Sequence, residues 1–220
     1  MAAQLVRRIP YKTIICQTHR TLAITLFDVS SFKPVAGLRQ RKKTATRLAI
    51  RRAAIRLFEE YGFDDTTIEQ IAAAADVSPR TFYRYFPTKE AVLICDQAEP
   101  IMVAFRHAPA ELSPVAAYRY AVAAYFDGLS DDERHDTIVA QHLLYSVPGG
   151  RGLLYAEYTL LSRLMTKALA SRLATSVPFA ERQVIAATII GVLMAVSDGN
   201  PLPEDSLTRA LEILEARVSW

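Results

Sequence analysis

Residues 77–92, VSPRTFYRYFPTKEAV, concentrate side chains that can bind an anion. Arg80, Arg84 and Lys89 supply cations, and Thr81, Tyr83 and Tyr85 supply hydroxyls. A guanidinium can hydrogen-bond both acceptors on a guanine edge, and a hydroxyl can donate to a phosphate oxygen. Phe82 and Phe86 stand four residues apart, so they share one helical face and would pack inward. Arg80, Thr81 and Arg84 then leave by other faces, with Tyr83 and Tyr85 flanking them. The plainer reading is that all four aromatics are core, but the two phenylalanines already supply that face.

The elements that would hold these residues are legible from punctuation. Ile50, Ala54, Leu57, Phe58 and Tyr61 repeat as one face of a helix running from about Thr44, and Gly62 sits where a helix end favours positive φ. Thr66 and Glu69 have capping-box spacing before a short helix whose buried face is Ile68, Ile71, Ala72 and Ala75. Ser78 and Pro79 suit the N-cap and first position of a third helix. Pro87 ends it, and Thr88 can cap a fourth helix from Lys89. Three short helices with a tight turn before the third describe a helix-turn-helix. Thr67 and Lys89 would hold phosphates on either side of it.

Charge supports a polyanion at this end. Residues 39–89 carry eleven basic and six acidic side chains, whereas residues 90–220 carry ten basic and sixteen acidic. The basic run containing Arg41, Lys42 and Lys43, with Arg47 beyond it, is expected at DNA phosphates; the bland alternative is a solvated arm.

This pattern resembles a known family. Residues 53–92, with the capping threonine, the small residues of the second helix, the Tyr83-Arg84-Tyr85-Phe86 block and the following lysine, are similar to the DNA-binding domain of TetR-family bacterial transcriptional regulators. The resemblance implies DNA contacts by Thr67, Arg80, Thr81, Tyr83, Tyr85 and Lys89. Position 84 varies in the family, so Arg84 is a candidate on chemistry alone. The resemblance further implies a palindromic double-stranded operator, a homodimer, a helical ligand domain and a bacterial cytoplasm. Residues 144–148, Leu-Tyr-Ser-Val-Pro, are similar to members with acyl-CoA-like ligand domains.

The whole chain is expected to be all-α, with about nine helices. Residues 1–38 would be a disordered extension without periodicity, of which residues 1–37 would be dispensable for folding and DNA binding. Residues 39–89 would be the helix-turn-helix domain, and residues 90–220 the ligand-binding and dimerisation domain. Two cysteines, Cys16 and Cys95, are no disulfide framework. The longest uncharged apolar run, residues 184–196, is short for a membrane span, and residues 1–38 show no secretory pattern.

Two further sites are expected in the second domain. Met102, Phe105, Tyr118, Tyr125 and Phe126, with His142, Tyr145, Tyr155, Tyr158 and Met165, combine bulk with adaptable or polar tips and would line a pocket for a small apolar effector. His142 and Tyr145, three apart, would be its polar pair. For any one of these residues, a place in the core is the simpler reading. Ile185, Ile189, Val192, Leu193 and Val196, with Leu207, Leu211 and Leu214, would form a dimer interface, since a helix apolar on all sides must be buried on all sides.

A helical enzyme and a protein-interaction module are the rival classes. None of His19, His107, His135 and His142 follows a glutamate by three positions, as a di-iron site would require. There is no P-loop, nucleophile elbow or zinc cluster, and neither cofactor nor metal is expected.

Overall fold

The computed structural model describes residues 38–94, 97–174, 176–198 and 204–217. Of the expected extension, residues 1–38, residues 1–37 lie outside the described residues, and Leu38 is the first residue of a helix. Among those described there are nine α-helices and no strand. Helices α1 (Leu38–Tyr61), α2 (Ile68–Ala74) and α3 (Pro79–Tyr85) come first, then a 3-10 turn at Glu90–Leu93. Helices α4 (Ala98–His107), α5 (Pro114–Asp127), α6 (Asp131–Ser146), α7 (Gly150–Ala168), α8 (Phe179–Ser197) and α9 (Glu204–Arg217) follow.

Local chemistry fixes the small helices. Ser78 caps α3 by accepting from the Thr81 N–H, and Pro79 occupies the first turn, where its missing N–H costs nothing. The cap of α2 differs from expectation by one residue. Thr67, not Thr66, accepts from the Gln70 N–H, and the Gln70 side chain accepts from the Thr67 N–H at 2.7 Å. Thr66 is buried and donates to the Gly62 carbonyl at 2.7 Å, tying the end of α1 to the start of α2. Between α2 and α3, Asp76 takes φ +53°, the left-handed conformation that makes this turn tight. The helix expected from Lys89 is only a 3-10 turn, although Thr88 does accept from the Ala91 N–H. Tyr61, expected on the buried face of α1, is exposed.

Two apolar cores result. The first contains Ile50, Ile55 and Phe58 of α1, Ile71 of α2, Phe82 and Phe86 around α3, and Val92 and Leu93. It also takes in Ala140 and Leu144 of α6, so this core extends beyond residue 89. The second fills the space between α4, α5, α7, α8 and α9. Arg172 braces it, donating to the carbonyls of Ala108 (2.8 Å), Pro109 (2.7 Å) and Leu112 (3.1 Å) beyond the end of α4.

Candidate nucleic-acid interface and ligand cavity

Helix α3 is anchored on one side and open on the other. Phe82 and Phe86 are fully buried, their rings 5.8 Å apart. Burying a phenylalanine contributes about 1.5–3 kcal/mol, enough to fix the roll of a seven-residue helix against α1 and α2. Arg80, Tyr83 and Arg84 are exposed, and Tyr83 keeps 54% of its surface. Thr81 is half-buried, its hydroxyl 3.0 Å from that of Ser78. Tyr85 is half-buried against the first core, and the Arg84 guanidinium lies 5.2 Å from its ring centre. Arg41, Lys42 and Lys43 are exposed on the first turns of α1, and Thr67 is exposed at the start of α2.

Two expected phosphate ligands are engaged within the chain. The Lys89 ammonium donates to the carbonyls of Phe63 (2.6 Å) and Thr66 (2.9 Å) and lies over the Phe63 ring. Its donors are thus directed at the α1–α2 connection rather than outward. Arg47 donates to the Tyr85 carbonyl at 3.1 Å, with its guanidinium 4.4 Å from the centre of the Phe86 ring. It clips α1 to the end of α3. Sequence reasoning missed both roles because a cation that caps carbonyls and one that binds phosphate look alike until the chain is folded.

The second domain holds a cavity of about 90 Å³ between α4, α5, α6, α7 and α8. Of the expected pocket residues, Tyr118, Phe126, Tyr145 and Tyr158 line it. An adjoining groove of about 370 Å³ is lined by Tyr145, Tyr155 and Tyr158, with Arg151 and Asp198 at 3.8 Å from each other. The Tyr145 and Tyr158 hydroxyls, 3.3 Å apart, belong to the wall common to both spaces. Burial, then the neighbouring Tyr158 hydroxyl, pushes the Tyr145 phenol well above its usual range, and burial does the same to Tyr118. Both phenols therefore stay neutral hydrogen-bonding groups.

The other expected pocket residues lie elsewhere. Met102, Phe105 and Met165 are fully buried in the second core, where their volume fills space between helices. Tyr125 packs partly buried against that core, edge-on to Phe126. His142 is exposed, because α6 turns that position to solvent while Gln141, Leu144 and Tyr145 face the cavity. The expected polar pair is thus replaced by Tyr145 and Tyr158, which come from different helices and have no spacing signature. Gln97, Gln141 and Ser197, also in the wall, were missed for the same reason.

The expected dimer residues are largely consumed by the chain's own core. Ile185, Ile189, Leu207 and Leu211 are buried, and Val192, Leu193, Val196 and Leu214 are partly buried against the same cluster. The exposed apolar stripe of α8 is instead Val184, Ala187, Gly191 and Ala195. Among the described residues, α8 is the one helix long and apolar enough to cross a membrane. Its buried side is explained by the core it packs on.

Known proteins place this architecture. A family model for the bacterial regulatory proteins of the TetR family matches residues 50–94, and one for the MftR C-terminal domain matches residues 112–219. The chain belongs to the TetR family. This is a family of transcriptional regulators rather than enzymes. The chain is 37% identical over 142 residues to the transcriptional regulator TcmR of Streptomyces glaucescens, covering 61% of each chain. To RutR of Escherichia coli it is 36% identical over 118 residues, covering 51% of this chain and 54% of that one. The matched part thus spans between half and two thirds of these relatives. A TetR-family regulator from Streptomyces coelicolor shares the fold at a TM-score of 0.50 and 20% identity, covering 79% of this chain and 94% of that one.

Proposed function

We propose that this TetR-family chain is a transcriptional repressor that binds a palindromic operator as a homodimer and releases it when a small apolar ligand occupies the second domain. The observation that carries the reading is α3 itself: a helix held by buried Phe82 and Phe86 that presents Arg80, Tyr83 and Arg84 to solvent. That geometry suits the major groove, where Arg80 would read a base edge and Tyr83 a phosphate. Arg41, Lys42, Lys43 and Thr67 would add backbone contacts. Arg47 would act by holding the end of α3, and Lys89 by capping the carbonyls of the α1–α2 connection.

The α8 stripe supports the dimer. Val184, Ala187, Gly191 and Ala195 form an exposed apolar row that the same row on a second copy can cover across a two-fold axis. A two-fold pair would set the recognition helices about 34–36 Å apart, on successive major grooves. Such a regulator works in the bacterial cytoplasm, where the DNA is. The small inner cavity and the groove beside it support an effector with a slender apolar part; an acyl chain carried by coenzyme A is one chemistry of that shape.

A gel shift with DNA flanking the protein's own gene tests this reading. A retarded species with the mass of two chains per duplex is expected, diminished by an effector found in a thermal-shift screen. No retardation at micromolar protein and low salt would contradict it, as would a monomer in sedimentation under those conditions.

A further inference from the structure

Three phenols from three helices line the inner cavity: Tyr118 of α5, Tyr145 of α6 and Tyr158 of α7. Two of them are spent on each other, since the Tyr145 and Tyr158 hydroxyls lie 3.3 Å apart. Tyr118 differs. It keeps only 1% of its surface, yet its hydroxyl makes no hydrogen bond among the described residues. Burial, then the nearby Tyr158, raises its phenol above the usual range, with no hydrogen bond contributing. Nor is the Tyr118 oxygen one of the sealed polar atoms that lack a partner. The trace of surface that Tyr118 keeps therefore includes its hydroxyl, and it opens on the cavity that this residue lines. A hydroxyl set in the interior and left unpaired is destabilising, so this one points to a partner from outside the chain.

The chemistry of the wall narrows that partner. A phenol donates a hydrogen bond more readily than it accepts one, because the ring draws on its lone pairs, so the partner is an acceptor. Among the described residues Glu157 is the one charged side chain lining the cavity, and it is acidic. With no cation in the wall, a carboxylate or phosphate would enter against Glu157 and lose its water without compensation. The raised phenols of Tyr118 and Tyr145 report the same penalty on negative charge. Most other lining side chains, among them Ile101, Val122 and Leu161, offer apolar surface. A neutral carbonyl oxygen meets these conditions: it accepts strongly, carries no charge and sits on a carbon skeleton.

We propose that the inner cavity is a subsite for a neutral carbonyl group on an apolar skeleton, and that the Tyr118 hydroxyl reads it by donating to its oxygen. This rests on the ligand-controlled reading above and specifies the ligand's chemistry: a ketone, ester or amide carbonyl is accepted, and a free carboxylate is refused. Tyr118 is a specificity residue, because an isostere that cannot accept leaves its hydroxyl unpaired. Phenylalanine at this position keeps the wall and loses the discrimination.

The test pairs acetophenone with 2-phenylpropene, in which a methylene group replaces the carbonyl oxygen. Both are titrated into the full chain and into Tyr118→Phe, with binding followed by nuclear magnetic resonance. The ratio of the two dissociation constants should move toward the alkene by about fivefold or more in Tyr118→Phe. The carbonyl stretch of bound acetophenone should lie lower in native protein than in the variant, the infrared mark of a donated hydrogen bond. The ligand-free melting temperature of Tyr118→Phe should equal or exceed the native value, because the chain gives that hydroxyl no partner. Tyr145→Phe, measured in parallel, should melt lower, because it removes the contact with Tyr158, and should keep the native ratio. An unchanged ratio and stretch in Tyr118→Phe would overturn the proposal, as would a Tyr118→Phe variant that melts well below native protein, or no binding of either compound to native protein. Each of these would leave ligand control of DNA standing for other ligands. A Tyr118-dependent preference that leaves operator affinity unmoved would uphold the subsite and remove the control.

Discussion

The imidazole Nε2 of His135 lies 2.8 Å from Glu59 Oε1, joining the start of α6 to the last turn of α1. Two turns earlier on α1, Arg52 Nη2 meets Glu133 Oε1 at 3.3 Å between the same two helices. At the other end of α6, Leu144 belongs to the first core and also lines the ligand cavity. Helix α6 is therefore tied to the DNA-binding unit at both ends while one of its faces touches the cavity. The exposed pairs are each worth only about 0.2–1 kcal/mol, so Leu144 is the stronger link. The helix predicted from Lys89 is not there to carry the coupling, since that segment is a four-residue 3-10 turn.

Leu144→Ala should therefore do two things. It should destabilise the protein by about 2–5 kcal/mol, as large-to-small changes in a packed core do. It should also reduce the ligand's effect on operator affinity more than it reduces ligand affinity. Chemical denaturation measures the first, and operator titration with and without saturating ligand measures the second. Gly150 sharpens the point, because a Cβ there would collide with the Leu144 carbonyl. Gly150→Ala should disturb the same junction without removing any side chain.

Lys89→Met separates a structural cation from a DNA-binding one. Removing the ammonium leaves the Phe63 and Thr66 carbonyls without their donor, which costs about 1–3 kcal/mol for a buried group. The melting temperature should fall, while the salt dependence of operator binding stays as in native protein. A salt slope reduced by about one unit, with unchanged melting temperature, would return Lys89 to the phosphates.

Much of this was readable beforehand, and the reasons differ by residue. Ser78-Pro79, Phe82 and Phe86 act through local chemistry and helical spacing, so the position and roll of α3 follow from the sequence. Thr66 and Thr67 could not be told apart, because both are threonines and the buried one is chosen by its hydrogen bond to Gly62. His142 and Tyr145 were paired by spacing, yet the cavity pairs Tyr145 with Tyr158 across α6 and α7, a relation only packing creates. The apolar residues of α8 signalled burial, but not which copy of the chain would bury each one.

Asp136 gives a pH-dependent check on the α1–α6 junction. Burial raises its carboxyl above the ordinary range, outweighing the opposing pull of Arg51 and Arg52. A carboxyl raised on folding means that the folded state takes up a proton before the unfolded state as pH falls. The ionised form is then a penalty near neutral pH, and the penalty fades as pH drops through the carboxylate range. Asp136→Asn should melt higher than native protein at pH 7, with the gap closing toward pH 4. Melting curves across that range decide it; a gap that widens on acidification would show that the arginines dominate.

The central claim is that the exposed side of α3 reads operator DNA, and base-resolved affinity tests it most directly. Fluorescence anisotropy would compare native protein, Arg80→Ala and Tyr83→Phe on the operator and on duplexes carrying one changed base pair each. Arg80→Ala should lose about 1–3 kcal/mol on the operator and become indifferent at one position in each half-site. Tyr83→Phe should weaken binding by the same factor on every duplex, because a phosphate contact carries no sequence information. Native affinity and native base preference in both variants would contradict the assignment of α3 as the recognition helix.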